Sequence, residues 1–114
     1  MFTSINAQKP VNGIITLDWC NPGSFQLFLV TASIESGGKE TDERAYKYCY
    51  SLIDETKESG INVPKPELKK AIVKVGTTHC NEVDKFAETG LTPLAPAIIG
   101  TPLIEQCFHN VECK

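Results

Sequence analysis

Arginine is almost missing from this chain: Arg44 is the one arginine among 11 basic residues, the others being lysines. Arginine is the planar fork preferred for phosphates and guanine edges. With a formal net charge of −3, the general attraction to a polyanion is lacking too, so the expectation is no nucleic-acid partner. No apolar run reaches the roughly 18 residues that a membrane span requires. The opening Met1-Phe2-Thr3-Ser4-Ile5-Asn6 has neither a basic nor an apolar leader segment, so no signal peptide is visible. No Asn-x-Ser/Thr acceptor occurs, no close-spaced C-x-x-C pair of the kind zinc sites use, and no catalytic or nucleotide-binding motif. The expectation is therefore a protein without a cofactor and without enzymatic activity.

What the chain does have is 5 cysteines in 114 residues, spread over its length at Cys20, Cys49, Cys80, Cys107 and Cys113. Thiols so dispersed suit ties between separate elements of a small fold, which points to an oxidising compartment. Each tie would contribute about 2–4 kcal/mol by restricting the unfolded chain. Apolar residues make up 41% and charged residues 22% of the chain, as in ordinary globular domains, so disulfides would supplement a core and not replace it. Five cysteines allow about fifteen pairing patterns, which the sequence does not choose between; a terminus frays unless tied down, so one candidate pattern joins Cys113 to a residue near the hairpin such as Cys20, and Cys49 to Cys80 or Cys107. The odd thiol is a core residue, a bridge in a disulfide-linked dimer or a reactive group. The competing reading is an intracellular domain whose five thiols are reduced and buried.

The pattern along the chain predicts one α+β domain: a small antiparallel sheet built on a β-hairpin at about 13–32, covered by two or three helices and stabilised by disulfides. Residues 1–10 lack periodicity and read as a flexible arm. Ile15, Leu17 and Trp19 alternate with Thr16 and Asp18 as in a half-buried strand, with Ile14 out of pattern. Pro22-Gly23 suits a tight turn, and Phe25–Ala32, apolar on both faces, reads as a central strand. A helix is expected over about 42–59, capped by Thr41 and stopped at Gly60. Residues 64–76 fit helix or strand, with the helical spacing of Leu68, Ala71, Ile72 and Val75 preferred. A further helix carries Cys80, Val83, Phe86 and Ala87 to Gly90. The proline-punctuated tail runs extended, with a strand at Ala97–Ile99 and a helix start at Thr101-Pro102.

The candidate chemistry is sparse. His79 adjoins Cys80, but helix neighbours point about 100° apart, so His109 is the better-placed base for a thiolate. His109 and Cys113 have the spacing of a metal pair, without a second compact pair to complete a site. The carboxylates Asp54, Glu55, Glu58, Glu82, Asp84 and Glu88 sit near lysines as on solvated helix faces. Tyr46, Tyr48 and Tyr50 crowd one helix, and Lys69, Lys70 and Lys74 form part of a stripe; both are candidate contacts for a protein partner. In its outline of short sheet, helices and dispersed cysteines the chain resembles small secreted fungal killer-toxin or effector domains. That resemblance implies a secreted binding protein of effector, toxin or inhibitor type. The alternatives are an intracellular adaptor domain and a small thiol-dependent enzyme.

Overall fold

In the computed structural model, residues 1–8, 12–34 and 48–114 are described. In chain order the elements are β1 (Phe2–Ile5), β2 (Asn12–Ile15), β3 (Cys20–Ser24), β4 (Leu29–Ala32), α1 (Tyr48–Thr56), β5 (Ser59–Val63), α2 (Lys69–Thr77), α3 (Lys85–Thr89), β6 (Pro93–Leu94), β7 (Leu103–Ile104) and β8 (His109–Cys113). The main sheet has the order β2-β1-β5-β8, and every neighbouring pair in it is antiparallel. Pairs β3-β4 and β6-β7 form separate two-stranded ribbons.

The sheet corrects the expected hairpin. Residues 2–5, read from the sequence as part of an arm, form β1, which lies between β2 and β5. Its Thr3 and Ser4 are buried although polar, so no apolar alternation announces the strand. β2 presents Ile14, fully buried, and ends at Ile15. Trp19, expected inside, is 75% exposed, and Phe25 is 97% exposed. The turn falls at residues 25–28, beyond Pro22-Gly23, which lie in β3 beside a register shift. Four-residue β2 finds its partner across the sheet in β1, not in the next segment of chain.

Asn62 on β5 joins three strands. Its side-chain amide donates to Met1 O, Thr3 Oγ1 and Gly60 O, and its Oδ1 accepts from the Ile104 amide at 2.9 Å. A fully buried carboxamide is tolerated because both its ends are satisfied. Gly60 lies within β5 and is not a helix stop: a Cβ there would collide with Thr3 Oγ1 and approach Leu103. The left-handed residue after α1 is Lys57, at φ 57°. The amino-terminal part of the expected 42–59 helix, with Thr41 and Tyr46, lies outside the described residues.

Residues 64–76 resolve as a short 3-10 turn at Pro66–Leu68 leading into α2. Leu68, Ala71, Ile72 and Val75 turn inward onto a core of Met1, Ile14, Phe86, Leu91, Ile104 and Cys107. The helix expected to carry Cys80 is only α3. Asp84 caps it by accepting from the amides of Phe86 and Ala87, and Gly90 closes it at φ 69°. Leu103-Ile104, expected in a helix, form β7. Residues 97–100 are held without being a strand. The Glu112 carboxylate accepts from the successive amides of Ala97, Ile98 and Ile99 at 2.7–2.9 Å, a nest of donors that suits an anion. The Gly100 amide donates to Glu58, which also meets Lys114 at 3.3 Å.

None of the five cysteines is in a disulfide, so the expectation of a disulfide-stabilised fold is corrected. Hydrogen bonding and apolar packing hold the elements together.

Two outcomes follow from these contacts. Asn62→Ala leaves the buried Ile104 amide without an acceptor and opens a small cavity, so the urea midpoint should fall by the equivalent of about 2–3 kcal/mol with the m-value unchanged. The three amides hold the Glu112 carboxyl below the usual carboxylate range. A depressed carboxylate stabilises above its unfolded pKa and loses this as pH falls through the folded one. Hydrogen exchange at Ala97–Ile99 should therefore stay slow through the ordinary carboxylate range and quicken only below it, and Glu112→Gln should abolish that pH dependence.

Candidate functional site

A groove opens where the end of β2, the first turn of α1 and the segment between α2 and α3 meet. It encloses about 110 Å³ and is walled by Ile15, Thr16 and Leu17 on one side and by Tyr48 and Cys49 on another. Val75, Gly76, Thr78, His79, Cys80, Asn81, Glu82 and Lys85 complete the lining.

Lys85 anchors these walls. It is 2% exposed, and its Nζ donates to Ile14 O at 2.8 Å and Val75 O at 2.7 Å. Val75 lies in the last turn of α2, where carbonyls have no helical partners and the dipole favours a cation. Thr77 and Thr78 satisfy the neighbouring carbonyls of Val73 and Lys74. Through Lys85, the strand that supplies Thr16 and the helix that supplies Gly76 are fixed to one point. The two come so close that a Cβ on Gly76 would stand 2.8 Å from Thr16 Oγ1.

Beside Lys85 the sulfurs of Cys49 and Cys80 lie 2.6 Å apart, and Cys80 Sγ is 3.6 Å from Ile14 O. The contact with Cys49, in which either sulfur can donate, and the charge of Lys85 hold the Cys80 pKa down to about 6, against burial. Cys49 is pushed the other way, first by that same hydrogen bond and then by burial. The surroundings thus make Cys80 the more acidic thiol of the two. Among the described residues no carboxylate pairs with Lys85, whose charge lowers the Cys80 pKa.

The sequence candidates scatter around this groove. Cys49 and Cys80 are brought together as free thiols. Cys107 sits in the core and Cys113 at the end of β8, their pKa values raised mainly by burial. Cys20 opens β3, half-buried. Tyr48 lines the groove and accepts a hydrogen bond from Asn6, while Tyr50 borders a second depression with Ile53, Lys57 and Lys114; Tyr46 lies outside the described residues. Lys69, Lys70 and Lys74 are exposed along α2, and Lys74 reaches Glu88 at 3.4 Å. His109 stacks edge-on against Phe108 and does not line the groove. Among the described residues no cluster of three metal-binding side chains occurs, and no helix is long and apolar enough to cross a membrane. Sequence reading missed Thr16, Gly76 and above all Lys85, which it placed on a polar face because a lysine is solvated by default.

Fold and groove together define a small, mainly antiparallel β domain with a polar, thiol-bearing cleft. Residues 1–114 match the flavin reductase-like domain, and the chain belongs to that family. An uncharacterised protein of Archaeoglobus fulgidus is 31% identical over 107 residues, covering 94% of this chain and 54% of the relative. Flavoredoxin of Desulfovibrio vulgaris superposes with a TM-score of 0.80 at 21% identity, over 97% of this chain and 55% of that one. An FMN-binding domain of a flavin reductase-like enzyme from Shewanella baltica gives 0.80 at 18% identity, over 99% and 55%. At those identities the structural matches speak for the fold alone, a flavin reductase-like fold. The chain spans about half the length of these relatives.

Family membership overturns the expected secreted effector, toxin or inhibitor without catalysis, and with it the resemblance to killer-toxin domains. The dispersed cysteines that suggested secretion are reduced residues of core, strand and groove.

The groove's chemistry fits part of a flavin. Ile15, Leu17 and Val75 offer an apolar wall, and Thr16, His79 and Asn81 offer hydrogen-bonding groups around it. The volume is below the roughly 300–1,000 Å³ of sites that enclose a drug-sized ligand, so these residues would hold one edge of the ring system.

Lys85→Met should leave the Ile14 and Val75 carbonyls without their donor and cost about 2 kcal/mol of stability by urea melt. It should also raise the Cys80 pKa toward the ordinary thiol value, read as a shifted thiolate absorbance titration. The wild type should gain stability from Cys80 as pH rises from about 6 through the ordinary thiol range, a gain the variant loses.

Proposed function

We propose that this chain is the flavin-binding part of a redox enzyme, and that the groove beside Lys85 takes the edge of an FMN-type flavin. The observation that carries the reading is the groove itself: an apolar wall and convergent polar groups, placed in the fold shared with an FMN-binding domain. A bound flavin would supply two-electron redox chemistry, which none of the twenty side chains offers unaided except through thiols.

The chain's own residues do the holding. Ile15, Leu17 and Val75 exclude water from one face, which strengthens every hydrogen bond made beside them. Thr16 and Asn81 present donor and acceptor groups, and His79 adds an imidazole at the exposed rim. Lys85, fixed by two carbonyls, cannot swing out to meet a ligand; it contributes positive charge beneath the floor and keeps Thr16 opposite Gly76. Tyr48 closes one end, its hydroxyl oriented by Asn6.

Titrating FMN with the protein should quench flavin fluorescence saturably. Gly76→Val drives a side chain against Thr16 and should weaken binding at least tenfold, about 1.4 kcal/mol. Val73→Ala, on the exposed face of α2, should bind as the wild type does. No saturable quenching, or equal affinity in all three proteins, would remove the groove from consideration as the flavin site.

A further inference from the structure

We propose that Cys49 and Cys80 are a reversible dithiol couple in the groove wall, oxidised by low-molecular-mass disulfides, and not a brace that holds the fold. The two sulfurs are 31 positions apart in sequence and 2.6 Å apart in space. A disulfide bond is about 2.05 Å long, so closing it asks for roughly half an ångström of approach and no movement of strands or helices. Both residues line the groove, which gives a small reagent a path to otherwise buried sulfur. No other cysteine lines it.

The surroundings assign the order of events. Cys80 is the more accessible of the two, at 7% exposure against 2% for Cys49, and it stands in the field of the Lys85 ammonium. The same surroundings hold its proton loosely while Cys49 keeps its own. In the first step the Cys80 thiolate attacks one sulfur of RSSR, forming a mixed disulfide and expelling RS⁻. Cys49 then gives up its proton, and its sulfur attacks Cys80 and expels the second RS⁻. The protein pair loses two electrons, and RSSR becomes two RSH, one proton coming from Cys49 and the other from the solvent that first took the Cys80 proton. A thiol reductant runs the exchange backwards. Attack by Cys80 and resolution by Cys49 need no base beyond solvent, and His79 has no part in either step.

The test uses the reduced protein without flavin and oxidised glutathione as the probe, followed by intact mass and peptide mapping. Wild type should lose two hydrogens, carry a Cys49–Cys80 linkage and recover fully with dithiothreitol. Cys49→Ser should stop at one glutathionyl group on Cys80, and Cys80→Ser should take none at Cys49. A stable glutathione adduct on the wild type, or reaction confined to half-buried Cys20 and Cys113, would overturn the proposal. Should either variant fail to fold, the wild type decides alone. Under limiting iodoacetamide Cys80 should label ahead of Cys49 and Cys107, with a rate midpoint below the ordinary thiol range, and the reverse order would sink it. Because no flavin is present, failure here leaves the flavin reading standing, and failure of FMN binding leaves this result standing.

Discussion

A lysine buried to 2% exposure is a demand placed on everything around it. An ammonium taken out of water costs several kcal/mol, which hydrogen bonds to it offset. Two carbonyls, from the end of β2 and the last turn of α2, accept from two of its three N–H bonds, and its charge in turn lowers the pKa of Cys80 beside it. Because one carbonyl is 71 positions away in sequence and the other only 10, a single side chain converts a local helix end and a remote strand end into one rigid corner. The groove is the space that corner leaves open.

Within the main sheet a related problem is solved with a neutral group. Asn62 offers both donors and an acceptor, and β1, β5 and β7 close around it. A buried polar group with every partner in place narrows the ways in which strands can register. Together with Glu112, which gathers three amides that no strand claims, it explains how short strands hold their positions without cross-links. Polar groups specify the arrangement here; apolar burial around Ile14, Val75 and Ile104 supplies most of the driving force.

Local signals were readable where the structure they encode is local. Gly90 ends α3, and the spacing of Leu68, Ala71, Ile72 and Val75 describes the inward face of α2. Signals that depend on a distant partner were not. Alternation in Ile14–Trp19 marks an extended segment but not which face is covered; that depends on β1, whose Thr3 and Ser4 are buried by hydrogen bonding and packing and so look like loop residues. Phe25–Ala32 has the composition of a central strand, yet Phe25, Leu27, Phe28 and Leu29 are exposed, because among the described residues no third strand pairs with that ribbon. At the site, Cys80 stood out beside His79, while its partners proved to be Cys49 and Lys85. Nothing in the residues around Lys85 distinguishes it from the lysines that are solvated along α2.

Five cysteines in a small chain carry opposite meanings depending on what surrounds each sulfur, and here the surroundings differ. Cys107 is held as a neutral thiol by burial, and Cys113 by burial and its neighbour Cys20. Only at Cys80 do the hydrogen bond with Cys49 and a lysine outweigh desolvation. The consequence is electrostatic as much as chemical. A cysteine joined in a disulfide carries no charge, so linking Cys49 to Cys80 would leave the Lys85 ammonium with the carbonyls of Ile14 and Val75 alone, and the wall of the groove would be the more positive for it.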